Sequence, residues 1–200
     1  MKSRYTFLGL GMAIGLALML VGWKLISGPY QYQGSVIDPP IPAADFQLTD
    51  QNGQPFQLSD QRGKVTLIFF GYTHCQDVCP LTLSLFRNVK EQLGSQADKV
   101  RFVFITVDPE RDTPQVLSDY LAKFDPSFVG LTGTSAELTP VWKAYGVYQE
   151  KQSAQSLDEL IDHTAITYVI DKKGNWRLTF PNGIETSKMV ADLDHLTREN

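Results

Sequence analysis

Cysteine, histidine and methionine are all scarce in this chain, which has two, three and four of them among its 200 residues. The methionines, Met1, Met12, Met19 and Met189, are scattered, so no methionine cluster is available as a soft-metal site. Basic residues are also in short supply. The net charge is −4, and Lys2, Arg4 and Lys24 all precede the first acid, Asp38, so the body of the chain is more acidic than the total. Without a basic stripe, no nucleic-acid partner is expected. A glycine-rich phosphate loop is absent as well. Neither internal repeats nor low-complexity tracts occur, and 42% apolar with 20% charged residues suits one globular domain with a full core.

Charge is missing altogether from Tyr5 to Trp23, "YTFLGLGMAIGLALMLVGW", 19 residues that are long enough to cross a hydrocarbon core. Lys2 and Arg4 ahead of it favour a cytoplasmic amino terminus and export of the chain beyond Trp23. No small-x-small cleavage site comes cleanly after the run, so an uncleaved anchor over 1–26 is expected rather than a signal peptide. No cysteine stands just after the run to carry a lipid. Residues 27–44 are rich in Pro, Gly and small polar residues and read as a spacer, and 45–200 as one domain.

Within that domain, Phe46–Thr49 and Pro55–Leu58 flank Asn52-Gly53, a hairpin signal. Val65–Phe70 is a continuous apolar run, expected as a strand buried on both faces. Leu81, Leu85, Val89 and Leu93 lie at helical spacing, with Gly94 just beyond. Val100–Val107 reads as a second buried strand, Thr113-Pro114 as the start of a helix to about Lys123, Val129–Leu131 as a short strand and Ser135–Tyr145 as a helix containing Pro140. Residues 150–160 are polar and unpatterned. Thr167–Ile170 and Trp176–Phe180 flank a turn at Asp171–Gly174, and a last helix runs from about Thr186 to Arg198. This alternation predicts an α/β sandwich.

Both cysteines fall where the first central strand passes into its helix, at the carboxyl edge of the sheet, in "GYTHCQDVCP". At that separation Cys75 and Cys79 could bridge as a disulfide, exchange redox equivalents or point at one ion, and a helix amino terminus is expected to lower a thiol pKa. An inert disulfide would close a very short loop and stabilise little. Two thiolates do not complete a metal site. Among the histidines, His195 reads as solvent-facing on the last helix and His74 as a surface or supporting residue. His163 precedes a strand in "DHTAITYVID", and its loop can approach the cysteine turn from the opposite side.

The motifs "GYTHCQDVCP", "VDPERDTP", "GLTGT" and "DHTAITYVID", in this order after an apolar amino-terminal run, resemble the Sco/SenC family of copper proteins with a thioredoxin-like fold. The resemblance covers the chain from about Asp45 to the last helix. It implies a thioredoxin-like fold with an N-terminal β-hairpin behind a single transmembrane helix, and copper, as Cu(I) or Cu(II), at Cys75, Cys79 and His163. It implies a copper chaperone for the dinuclear site of cytochrome c oxidase subunit II, in a bacterial inner membrane with the domain on the periplasmic side. Another copper donor or a thiol–disulfide protein would be a further partner. Gln76 stands where many members have proline, and Ala165 where thioredoxin relatives carry a cis-proline. Soft thiolates suit Cu(I), and an imidazole added to them can hold Cu(II). Zinc is permitted by ligand type, although a structural zinc takes a fourth ligand. The main alternative is a thiol–disulfide oxidoreductase that uses Cys75 and Cys79 to reduce the acceptor's cysteines; a thiol peroxidase has weaker support from the residues.

Overall fold

The computed structural model describes residues 15, 19, 28, 30–151, 161–163 and 165–199. Apart from Gly15 and Met19, the apolar run from Tyr5 to Trp23 lies outside the described residues, so the expected anchor is not described. Among the described residues no helix is long and apolar enough to cross a membrane. The chain divides into two compact units, one up to Tyr32 and one from Gln33 onward.

The second unit contains strands β1 (Ser35–Pro42), β2 (Gln47–Asp50), β3 (Pro55–Gln57), β4 (Val65–Gly71), β5 (Val100–Thr106), β6 (Val129–Thr132), β7 (Gln149–Lys151), β8 (Ile161–His163), β9 (Ile166–Ile170) and β10 (Asn175–Pro181). Its helices are α1 (Val78–Leu93), α2 (Pro114–Leu121), α3 (Ser135–Ala144) and α4 (Thr186–Arg198). Eight strands form one mixed sheet in the order β1-β10-β9-β4-β5-β6-β2-β3, and β7 and β8 pair separately. β4, β5 and β6 run parallel, and β9 lies antiparallel against β4. The expectation of a spacer over 27–44 is corrected by the sheet at Ser35–Pro42. These residues are the edge strand β1, antiparallel to β10 with an irregularity between Val36 and Ile41. The prolines that suggested a spacer are tolerated because an edge strand need not donate from every amide.

All seven residues of β4 are buried, as its uninterrupted apolar sequence requires. Side chains alternate across the strand. Phe69 meets Phe86 of α1 edge-on at 6.5 Å, while Phe70 turns the other way to Tyr145 and Tyr168, each at 5.6 Å. α1 buries Cys79, Thr82, Leu83, Phe86, Val89 and Leu93, one stripe at helical spacing, and ends at Gly94 with φ near +54°. It starts at Val78, ahead of the first residue of the apolar spacing, Leu81, so Cys79 sits inside its first turn. The Thr113 hydroxyl caps α2 ahead of Pro114, and Thr134 with Glu137 forms a capping box on α3. These short, capped connections hold the carboxyl ends of β4 and β5 in register, where the Val107 amide donates to the Gly71 carbonyl at 2.8 Å.

Candidate metal centre

β4 delivers its last residue, Gly71, to a tight turn. Tyr72 is buried beyond it, and the Cys75 amide donates to the Tyr72 carbonyl at 3.2 Å. The chain then enters α1 without a conventional side-chain cap, since Asp77 makes no capping bond. A cysteine sulfur stands in: the Cys79 amide donates to Cys75 Sγ at 3.5 Å. The two cysteines are not joined in a disulfide; Cys75 is half-buried and Cys79 buried. The sequence therefore forms its helix start around a pair of converging sulfurs, which is the arrangement a shared ion or a reversible disulfide requires.

The expectation that the helix terminus lowers the thiol pKa is reversed at Cys79. A hydrogen bond with the Cys75 side chain and burial push the Cys79 thiol far up, and the charges of Cys75 and Asp112 add to the effect. Desolvation and nearby negative charge outweigh the few helix amides pointing at the site. In the metal-free form Cys79 is thus a thiol, and binding a cation would displace its proton.

Behind the turn lies a polar cluster to which the sequence motifs assign no role. Asp112 is fully buried and accepts from the Thr73 amide at 3.1 Å, the Thr73 hydroxyl at 2.6 Å and the Thr106 hydroxyl at 2.7 Å. Burial raises its carboxyl above the ordinary value, although the Thr106 and Thr73 bonds pull the other way. Asp108, also buried, pairs with Arg111. His74 is exposed, its Nδ1 3.1 Å from the Thr73 hydroxyl. Ligand atoms of His74, Asp108 and Asp112 all lie within 4.8 Å of one another. Most of these atoms are already used in hydrogen bonds or an ion pair. Tyr120 is also within electrostatic reach of both cysteines, its phenol pushed up by burial and by those charges, and its hydroxyl is buried with no hydrogen-bond partner among the described residues.

His163 ends β8, opposite Gln149 of β7. Its side chain, like residues 152–160 and Thr164, lies outside what is described. Phe69 of β4 pairs with Thr167 of antiparallel β9, so the chain leading into β9 arrives at the sheet end where β4 releases the cysteine turn. His195 is elsewhere, on α4, with Nε2 3.2 Å from Glu199.

The SCO1/SenC family model matches residues 37–198. The chain belongs to that family. Among curated relatives, it is 35% identical over 182 residues to the SCO2-like protein RP587 of Rickettsia prowazekii, covering 90% of this chain and 89% of that one. The structure of Bradyrhizobium japonicum ScoI with copper bound is similar with a TM-score of 0.72 at 44% identity, over 78% of this chain and 99% of that one. Yeast Sco1 with copper bound gives a TM-score of 0.72 at 31% identity, over 80% and 91%. Family membership and the mixed α/β, thioredoxin-like Sco fold expected from the motifs are therefore borne out. The "VDPERDTP" stretch that helped to mark the family also contains Asp108 and Asp112, so the signal for the polar cluster was present but carried no assigned role.

Proposed function

We propose that this Sco-family protein is a copper metallochaperone that holds its cargo with Cys75, Cys79 and His163 and passes it to the dinuclear copper site of cytochrome c oxidase subunit II. The observation that carries the reading is the approach of Cys75 and Cys79 to each other at the start of α1, at the sheet end where β9 begins. Relatives of the same fold are described with copper bound. Two thiolates and an imidazole suit both oxidation states of copper and leave a coordination position for a receiving ligand, so the ion can be held and then handed over. The apolar run from Tyr5 to Trp23 would tether the domain to a bacterial inner membrane, on the periplasmic side, beside a membrane-bound acceptor.

A second reading is favoured by the hydrogen bond between the two cysteine side chains. Cys75 and Cys79 would reduce a disulfide in the acceptor, giving it two electrons and two protons as they form their own disulfide. Mixing the copper-loaded protein with the soluble domain of subunit II separates the two roles. A reduced acceptor gains copper under the chaperone reading. An oxidised acceptor gaining thiols but no copper, while the reduced acceptor also stays empty, would favour the reductase.

A further inference from the structure

We propose that Asp112 is the buried counter-anion of the metal turn: it holds Thr73, from which the turn hangs, and its charge favours Cu(II) over Cu(I) at the cysteine pair. This rests on the copper reading of the cysteine pair. Asp112 is 0% exposed, and its partners among the described residues are neutral donors from Thr73 and Thr106. The Thr106 Oγ1 itself accepts from the Asp108 amide at 2.8 Å, which leaves its proton for Asp112. Such a set of donors fits an ionised carboxylate. The neighbouring carboxylate, Asp108, is matched by the guanidinium of Arg111, whereas among the described residues no such cation pairs with Asp112.

A buried charge held by neutral donors is costly unless a cation completes the site. The turn beside it can supply that cation. Thr73, whose amide and hydroxyl both donate to Asp112, stands two positions before Cys75, so the carboxylate is held against the turn that carries the sulfur. The pull of a carboxylate there on an ion at the cysteine pair would be twice as large for a doubly charged ion as for a singly charged one. Asp112 thus acts through the turn and through its field rather than as a ligand.

The test compares Cu(I) and Cu(II) affinities of the full-length protein, measured by competition with chelators. Asp112→Asn keeps the shape and removes the charge; its Cu(II) affinity is expected to fall roughly tenfold further than its Cu(I) affinity, a positive shift of about 59 mV in the bound one-electron couple. Thr106→Val removes one hydrogen bond but keeps the charge, and should hold the ratio of the two affinities within about twofold while lowering stability. If Asp112→Asn does not fold, Asp112→Ser carries the same expectation without the charge. Equal weakening of both copper states in the uncharged variants makes Asp112 a strut only and overturns the inference alone. A parent protein that binds neither copper state overturns the functional reading and this inference with it.

Discussion

Adding one methyl group at Gly71 should damage both the fold and the metal site. Gly71 ends β4, and a Cβ built there would lie 2.7 Å from Cys79 Sγ and 2.8 Å from Phe104 Cε2. Comfortable contacts between such atoms are about 3.5–4.0 Å, so relief demands a movement on the order of 1 Å. Neither neighbour can swing away: Cys79 is 0% exposed on the first turn of α1 and Phe104 is 1% exposed in the central sheet. Overpacking of this kind costs about 1–3 kcal/mol. For a domain of this size each kcal/mol is worth about 2–4 °C, so Gly71→Ala should melt roughly 2–12 °C below the parent. The displaced sulfur should also weaken copper binding, because the methyl group pushes on a proposed ligand. Differential scanning calorimetry and a competitive Cu(I) titration read the two effects. A variant that melts within a degree of the parent and binds copper equally well would refute the close packing of Gly71 on Cys79.

His163→Ala should weaken Cu(II) binding strongly and Cu(I) binding less, with the Cys75–Cys79 redox couple little changed, since Cu(I) tolerates two thiolates but Cu(II) loses its nitrogen donor; chelator competition and a thiol redox titration read this, and unchanged binding of both states removes His163 from the site. Tyr120→Phe should leave stability unchanged or raise it by up to about 1 kcal/mol in urea unfolding, because the deleted hydroxyl is buried with no partner among the described residues; a clear loss of stability would show that the hydroxyl is satisfied. Asp125 supplies a pH signature. Burial pushes its carboxyl up, but bonds from Lys90 at 2.6 Å and from Ser127 outweigh that and hold it below the ordinary value of 3.8. A depressed folded pKa stabilises above the unfolded value, and that contribution is lost as pH falls through the folded one. The stability gap between parent and Lys90→Met should therefore be full at neutral pH and narrow as the pH falls below about 3.8 toward the depressed folded pKa. A gap that stays constant, or widens, as the pH falls through that range would contradict this origin.

The central strands and helices are legible in the sequence because each obeys one rule strongly. The unbroken apolar run of β4 has a single solution in a sheet covered on both faces, and Thr113-Pro114 and the capping box at Thr134 mark their helices by local chemistry. β1 is hidden because its prolines mimic a linker, and only pairing with β10 reveals that Ser35–Pro42 belong to the sheet. The cysteine pair is visible from spacing alone. Its environment is not, since the raised Cys79 thiol depends on the hydrogen bond with Cys75 and on burial, with a smaller push from Asp112, 33 positions further along the chain. The grip of Asp112 on Thr73 and Thr106 is likewise a product of where β4 and β5 end together, which no local pattern encodes.

The central claim is that Cys75 and Cys79, reduced, hold one copper ion. Anaerobic titration of the reduced protein with Cu(I), read by chelator competition, tests it directly. The account predicts saturation near one equivalent, lost when the thiols are alkylated and lost again in protein shown by mass to carry the Cys75–Cys79 disulfide, because a disulfide sulfur is a poor ligand beside a thiolate. Full copper affinity in the oxidised or alkylated protein, or no tight binding in the reduced one, would contradict it.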